Sequence, residues 1–252
     1  MRGKSIPLSI PRRVMCDLMA FAKDVPTVPV QRRMNVSSVV AARARLASGP
    51  GYCAIFTKAF AITAQRFSEL RRAYISLPRP RLYEHPISIA SVAIERQYEG
   101  ENCVFWCHLR QPDQQSLHNL QALLRQAKDE PLQNSAFCRR VLKLGRLPRP
   151  IRRLAWWLGL NFSGKKRAHY FGTFGISVYS GLGAESLHPI SPLSTTMNYG
   201  PIDKDGFVSV RFVYDHRVMD GATVARALAC MEDVLNHEIV AELAQERKVL
   251  AA

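Results

Sequence analysis

The chain has no apolar stretch long enough to span a bilayer. Nowhere do about 18 apolar residues run together, and near the N-terminus Arg2, Lys4, Arg12, Arg13 and Asp17 break each apolar run before it reaches secretory length. It also lacks the closely spaced cysteines of a small secreted scaffold. Its six, Cys16, Cys53, Cys103, Cys107, Cys138 and Cys230, are scattered, and are expected to be reduced, largely buried thiols of a cytoplasmic protein, with membrane-surface contact left open. No phosphate-cradling glycine loop, His-Glu-x-x-His helix or Gly-x-Ser-x-Gly elbow occurs. The run from Cys103 to His108 has the residue types of a metal site. On a strand, however, Cys103 and Cys107 lie about 13 Å apart at ~3.3 Å per residue, too far to share an ion bound to sulfur at ~2.3 Å. No metal is expected.

Acidic residues are scarce as well. Against 35 Lys and Arg stand 20 Asp and Glu, a net charge of +15, and none of those carboxylates falls between Arg139 and Arg167. That segment holds ten cations: Arg139, Arg140, Lys143, Arg146, Arg149, Arg152, Arg153, Lys165, Lys166 and Arg167. Such a field is either a solvated face or an attractor of phosphates, acidic proteins or anionic headgroups. Trp156, Trp157, Phe162, Tyr170 and Phe171 sit among the charges, as a nucleic-acid surface would require. No nucleic-acid module accompanies them, and the Trp pair serves equally to anchor a basic helix to the core or to a membrane surface. Nucleic acid is the disfavoured partner.

With 252 residues, 47% of them hydrophobic, the chain can bury a sizeable core. Apolar spacing predicts helices over 9–23, from Ser37 and Ser38 to Leu46, over 54–74, from Pro112 and Asp113 through Leu117, Leu120 and Leu124, one short helix after Pro150, one over 222–235, and a last over 239–250. β-branched and aromatic runs predict strands over 87–95 and 102–108 about a turn at Glu99-Gly100, then over 171–179, 195–199 and 207–214. Pro26 and Pro29 are expected only to end the first helix. No repeat or linker appears, so residues 1–252 are read as a single α+β domain, a mixed sheet covered by helices.

The last strand delivers His216-Arg217-Val218-Met219-Asp220-Gly221. A histidine after a strand is by itself most often structural. Here Asp220 and Gly221 follow at a fixed offset, Asp215 and Arg217 flank it, and Ser177 lies on a strand 39 residues upstream. A neutral imidazole as base and a hydroxyl as oxyanion donor suit acyl transfer to a thiol or alcohol.

At these residues the chain resembles the catalytic domain of the acyltransferase component of 2-oxo acid dehydrogenase complexes, in the chloramphenicol acetyltransferase-like superfamily. Asp215-His216-Arg217-Val218-Met219-Asp220-Gly221 matches the family's Asp-His-Arg-x-x-Asp-Gly. Gly172-Thr173-Phe174-Gly175-Ile176-Ser177 matches its Gly-Thr-Phe-x-Ile-Ser. Weaker similarity runs through Pro7-Leu8-Ser9 with Arg12 and Arg13, Phe56-Thr57-Lys58-Ala59 with Phe67-Ser68-Glu69-Leu70, and Gln115-Ser116-Leu117.

The resemblance implies a two-layer α/β sandwich with a mixed sheet, coenzyme A or acyl-CoA as substrate, and a homotrimer, or a higher assembly of trimers, with sites between subunits. It implies that His216 of one subunit is the base, that Ser177 of its neighbour donates to the oxyanion, and that Asp220 holds the His216 loop, through Arg12 or Arg13. Neither a lipoyl domain nor a subunit-binding segment is recognisable, so no covalently bound lipoyl group is expected. The acceptor is then an acyl-carrier protein, an external lipoyl domain or an amphiphile at a membrane surface. The alternative is a trimeric scaffold or regulatory relative without turnover. The basic segment is longer than the family's usual connection, and the strand after Pro192 is unusually polar, with Ser194, Thr195, Thr196 and Asn198.

Overall fold

The computed structural model describes residues 2–250. In chain order the elements are α1 (Ile10–Ala22), β1 (Thr27–Asn35), α2 (Ser37–Ala44), α3 (Tyr52–Arg66), β2 (Arg72–Ile75), β3 (Arg81–Glu84), β4 (Ile89–Tyr98), β5 (Glu101–Arg110) and α4 (Leu117–Asp129). Then follow α5 (Ala136–Arg146), α6 (Arg149–Asn161), α7 (Gly164–Phe171), β6 (Phe174–Ile176), β7 (Thr195–Tyr199), β8 (Phe207–Asp215), α8 (Gly221–Val234) and α9 (Val240–Leu250). Six strands form a mixed sheet in the order β1-β8-β7-β6-β4-β5, and β2 pairs with β3 apart from it. β6 runs parallel to β4 and β7, and the other pairings are antiparallel. Among the described residues no helix is long and apolar enough to cross a membrane.

Local chemistry explains the clear elements. Ser9 accepts from the Arg12 N–H at the start of α1, and Pro11 sits in its first turn, where a proline loses nothing. Glu99 and Gly100 both have positive φ, 52° and 82°, the backbone of a tight two-residue hairpin turn. Gly172 has φ 87° and leaves α7 so close to the Ile89 carbonyl that a Cβ would meet it at 2.9 Å.

Several expectations are corrected. The helix over 54–74 ends at Arg66: Phe67 leaves helical geometry, and one 3₁₀ turn leads into β2. The Arg71 guanidinium holds that turn through the carbonyls of Ala64, His85 and Pro86. Residues 27–35, expected only to end a helix, are strand β1, paired along its length with β8. Pro29 is tolerated because β1 is a sheet edge. α2 takes no cap from its serines: the Ser37 N–H donates to Asn35 Oδ1. α4 begins at Leu117 under the Ser116 cap, and Pro112 belongs to a turn. Three helices occupy the basic stretch where one was predicted, and the strand expected over 171–179 shrinks to Phe174–Ile176 because α7 extends to Phe171.

The main core lies between one face of the sheet and α3, α4 and α8. Phe60 stacks on Phe174 at 4.1 Å and tilts against Phe212 at 4.9 Å, while Phe56 stacks on Tyr199 at 4.1 Å. The opposite face is partly covered by α1, α5, α6 and α7. Val14, Leu18, Trp156 and Leu160 form a smaller cluster there, against Trp106 and Phe171.

Candidate active site

β8 ends in a fully buried aspartate. Asp215 accepts from the Nε and Nη2 of Arg217 at 2.9 and 2.8 Å and from its backbone N–H at 3.0 Å. The Arg217 guanidinium lies 4.4 Å over the Tyr74 ring, and its bonds to Asp215 hold its charge above the usual range. The His216 N–H donates to the Pro26 carbonyl at 3.0 Å, and the Val218 N–H closes the turn on the Asp215 carbonyl at 2.9 Å. The backbone on both sides of His216 is therefore fixed while its imidazole is half exposed, 51%.

Asp220 caps α8 by position but makes no side-chain capping bond, and its Oδ1 lies 3.7 Å from His216 Nδ1. It does not reach Arg12 or Arg13. α1 packs on β5, at the far edge of the sheet from β8, so within the chain Arg12 pairs with Glu101 and Arg13 bonds the Leu8 carbonyl. The clamp on the loop is Arg217 with Asp215, which flanking position in the sequence hinted at without giving the role.

Ser177 follows β6 directly. Its N–H donates to the Met197 carbonyl at 3.2 Å and its Oγ lies 3.5 Å from the Tyr179 hydroxyl. The register sets Ile176 beside Met197 and Met197 beside Phe212, so Ser177 is level with Arg211, two strands across and five residues short of His216. At ~3.3 Å per residue and ~4.8 Å per strand the two residues are roughly 19 Å apart. One chain does not bring them together.

Ser177 instead opens onto a cleft of about 1040 Å³ between the outer face of the sheet and α1, α5, α6 and α7. Its floor includes Ala93, Val104 and Trp106, and its walls include Leu144, Trp156 and Phe171. His108 also lines it, with its ring 4.6 Å from Phe137. Burial pulls the His108 imidazole down to about 4, and nearby His169 acts in the same direction.

The basic helices that form this wall are not a uniform solvated face. Asp17, buried in α1, accepts from Arg152 Nε at 2.5 Å and from Arg153 Nε at 2.9 Å. Arg167, also buried, donates to the carbonyls of Tyr74, Leu160 and Pro192, and burial brings its guanidinium down to about 10. Arg139, Arg140, Lys143, Arg146, Arg149, Lys165 and Lys166 remain exposed. The only sequence signal for this internal pairing was a lone aspartate in a helix of a chain rich in arginine.

All six cysteines are free thiols. Cys103 and Cys138 are buried as expected, Cys53, Cys107 and Cys230 partly so, and Cys16 is exposed, against expectation. Burial pushes the Cys53 and Cys107 thiols up to about 11. Among the described residues no group of three His, Cys, Asp or Glu is placed to hold a metal ion.

Comparison with family models and with curated sequences finds no match. Solved structures do match in fold. A probable dihydrolipoamide acetyltransferase from Listeria monocytogenes aligns over 97% of each chain with TM-score 0.64 and 16% identity. The dihydrolipoamide acetyltransferase of Azotobacter vinelandii, studied for the role of a serine, a histidine and an asparagine in its catalytic mechanism, aligns over 96% of this chain and 94% of its own, with TM-score 0.65 and 17% identity. A chloramphenicol acetyltransferase aligns over 90% of this chain and 98% of its own, with TM-score 0.50 and 13% identity. The chain thus has a chloramphenicol acetyltransferase-like α+β fold.

Proposed function

We propose that the chain is a CoA-dependent acyltransferase that moves an acyl group between CoA and a thiol or hydroxyl acceptor. The observation that carries this reading is His216: a half-exposed imidazole whose backbone is clamped on both sides, at the end of a strand in a fold shared with acetyltransferases. In the Azotobacter enzyme the histidine and the asparagine stand four residues apart, as His216 and Asp220 do.

In this mechanism the Asp220 carboxylate near Nδ1 favours the tautomer that leaves Nε2 free. Nε2 takes the proton from the acceptor thiol or hydroxyl, and the resulting anion attacks the thioester carbonyl. The tetrahedral oxyanion accepts a hydrogen bond from the Ser177 hydroxyl. Collapse breaks the carbon–sulfur bond, and the imidazolium returns its proton to the CoA thiolate.

Because His216 and Ser177 lie far apart in one chain, the site is completed between copies, in a homotrimer or an assembly of trimers. The exposed cations suit an acidic acceptor, whether an acyl-carrier protein, a lipoyl domain of another chain or an amphiphile at an anionic surface. The free thiols fit a cytoplasmic setting.

His216→Ala should lower kcat by about 10²- to 10⁴-fold, the usual worth of a general base, with circular dichroism and Tm unchanged. Wild-type turnover in that variant would refute the mechanism.

A further inference from the structure

The mechanism uses only the Ser177 corner of the outer-face cleft. At about 1040 Å³ the cleft is as large as sites that bury whole drug-sized ligands, roughly 300–1,000 Å³. An acetyl group would leave nearly all of it empty. Its lining is mainly apolar and contains Arg110, Arg140 and Lys166 but no Asp or Glu. Three of its polar atoms, Trp156 Nε1, Thr196 Oγ1 and His108 Nε2, are buried without a hydrogen-bond partner. Trp156 is 5% exposed and Thr196 4%. Buried polar atoms are nearly always paired, and the chain itself offers these three no acceptor or donor.

The walls are held by internal bonds. The Asp17–Arg152 pair ties α6 to α1, and the carbonyl bonds of Arg167 fix α7. Such a cleft suits an occupant with a long apolar body, a few acceptors and an anionic head.

We propose that this cleft is the acyl-chain site of the enzyme and takes a fatty acyl group of about ten carbons or more. The thioester carbonyl lies at Ser177 and the phosphate-bearing CoA head meets the rim cations Arg140 and Lys166. This rests on the acyl-transfer reading above and adds the substrate class to it. Each methylene moved from water to such a site multiplies affinity by about fourfold at most, enough to separate long chains from acetyl.

Trp106 and Trp156 line the cleft, so their fluorescence reports its occupancy. Titration with dodecanoyl-CoA, below the concentration at which it forms micelles, should give a Kd at least about tenfold lower than acetyl-CoA. Val104→Phe, which fills the floor, should weaken dodecanoyl-CoA binding about tenfold and leave acetyl-CoA binding within about twofold. Ala93→Phe serves as a second filling variant if the first does not fold. Equal affinity for the two ligands would overturn the proposal. So would filling variants that leave dodecanoyl-CoA binding unchanged, or that alter only the oligomeric state, which would mark the cleft as a surface between copies.

The same protein separates the two claims. His216→Ala should bind dodecanoyl-CoA like wild type. Turnover of acetyl-CoA with no chain preference would sink the chain site and leave acyl transfer standing. Tight binding that Val104→Phe weakens, without turnover of any acyl-CoA, would uphold the chain site and sink acyl transfer.

Discussion

On one face of the central sheet Phe60 stacks on Phe174 and reaches Phe212. On the other face the same strands turn out Gly175, Ser177 and Thr196 toward a large cleft, and the helices over it are tied down by ion pairs and carbonyl bonds. Because side chains alternate along a strand, one register supplies both surfaces. The packed face can carry global stability, which frees the other to keep volume.

Breaking the packed face should cost most. Phe60→Ala removes a fully buried ring and should lower unfolding free energy by about 3–5 kcal/mol in chemical denaturation. Cutting the tie on the open face should cost somewhat less and act locally. Asp17→Asn leaves Arg152 buried without its charge partner, a loss of roughly 3 kcal/mol. Hydrogen exchange should quicken in α1 and α6 while α3 and α8 stay protected. Equal loss of protection on both sides would erase the distinction between the faces.

The effect of pH shows only in acid and is nil at neutral pH. The His108 imidazole protonates near its ordinary 6.5 in the unfolded chain but only at about 4 when folded. Between those values the unfolded state binds more protons, so this group makes stability fall as pH drops from 6.5 toward 4 and adds no slope above 6.5. His108→Gln should flatten that part of a Tm-against-pH curve. An unchanged curve would mean that His108 sits in an environment as wet as the unfolded chain.

The sequence made the packed face easier to read than the open one. Apolar spacing in the first helix, the β-branched and aromatic runs of the strands and the Glu99-Gly100 turn are local signals, and those elements stand where local chemistry puts them. The loop from Asp215 to Gly221 was legible because its residues are contiguous. Strand β1 was not, because Pro29 disguises it and only an edge position makes the proline tolerable. Nor was the cleft: it depends on Asp17 meeting Arg152, 135 residues away. Ten cations in a row of helices looked like surface, and which of them are buried is decided by partners elsewhere in the chain.

In the proposed mechanism His216 of one copy works with Ser177 of another. The most direct measurement mixes two weakly active variants, Ser177→Ala and His216→Ala, dissociates them and reassembles them together. Some interfaces in the mixed oligomers then join an intact His216 to an intact Ser177. With a shared site, acyl transfer should recover to a substantial fraction of wild type in the mixture and in neither variant alone. If the mixture stays as inactive as its components, although exchange of subunits is demonstrated, the site is not shared between copies and the mechanism is wrong.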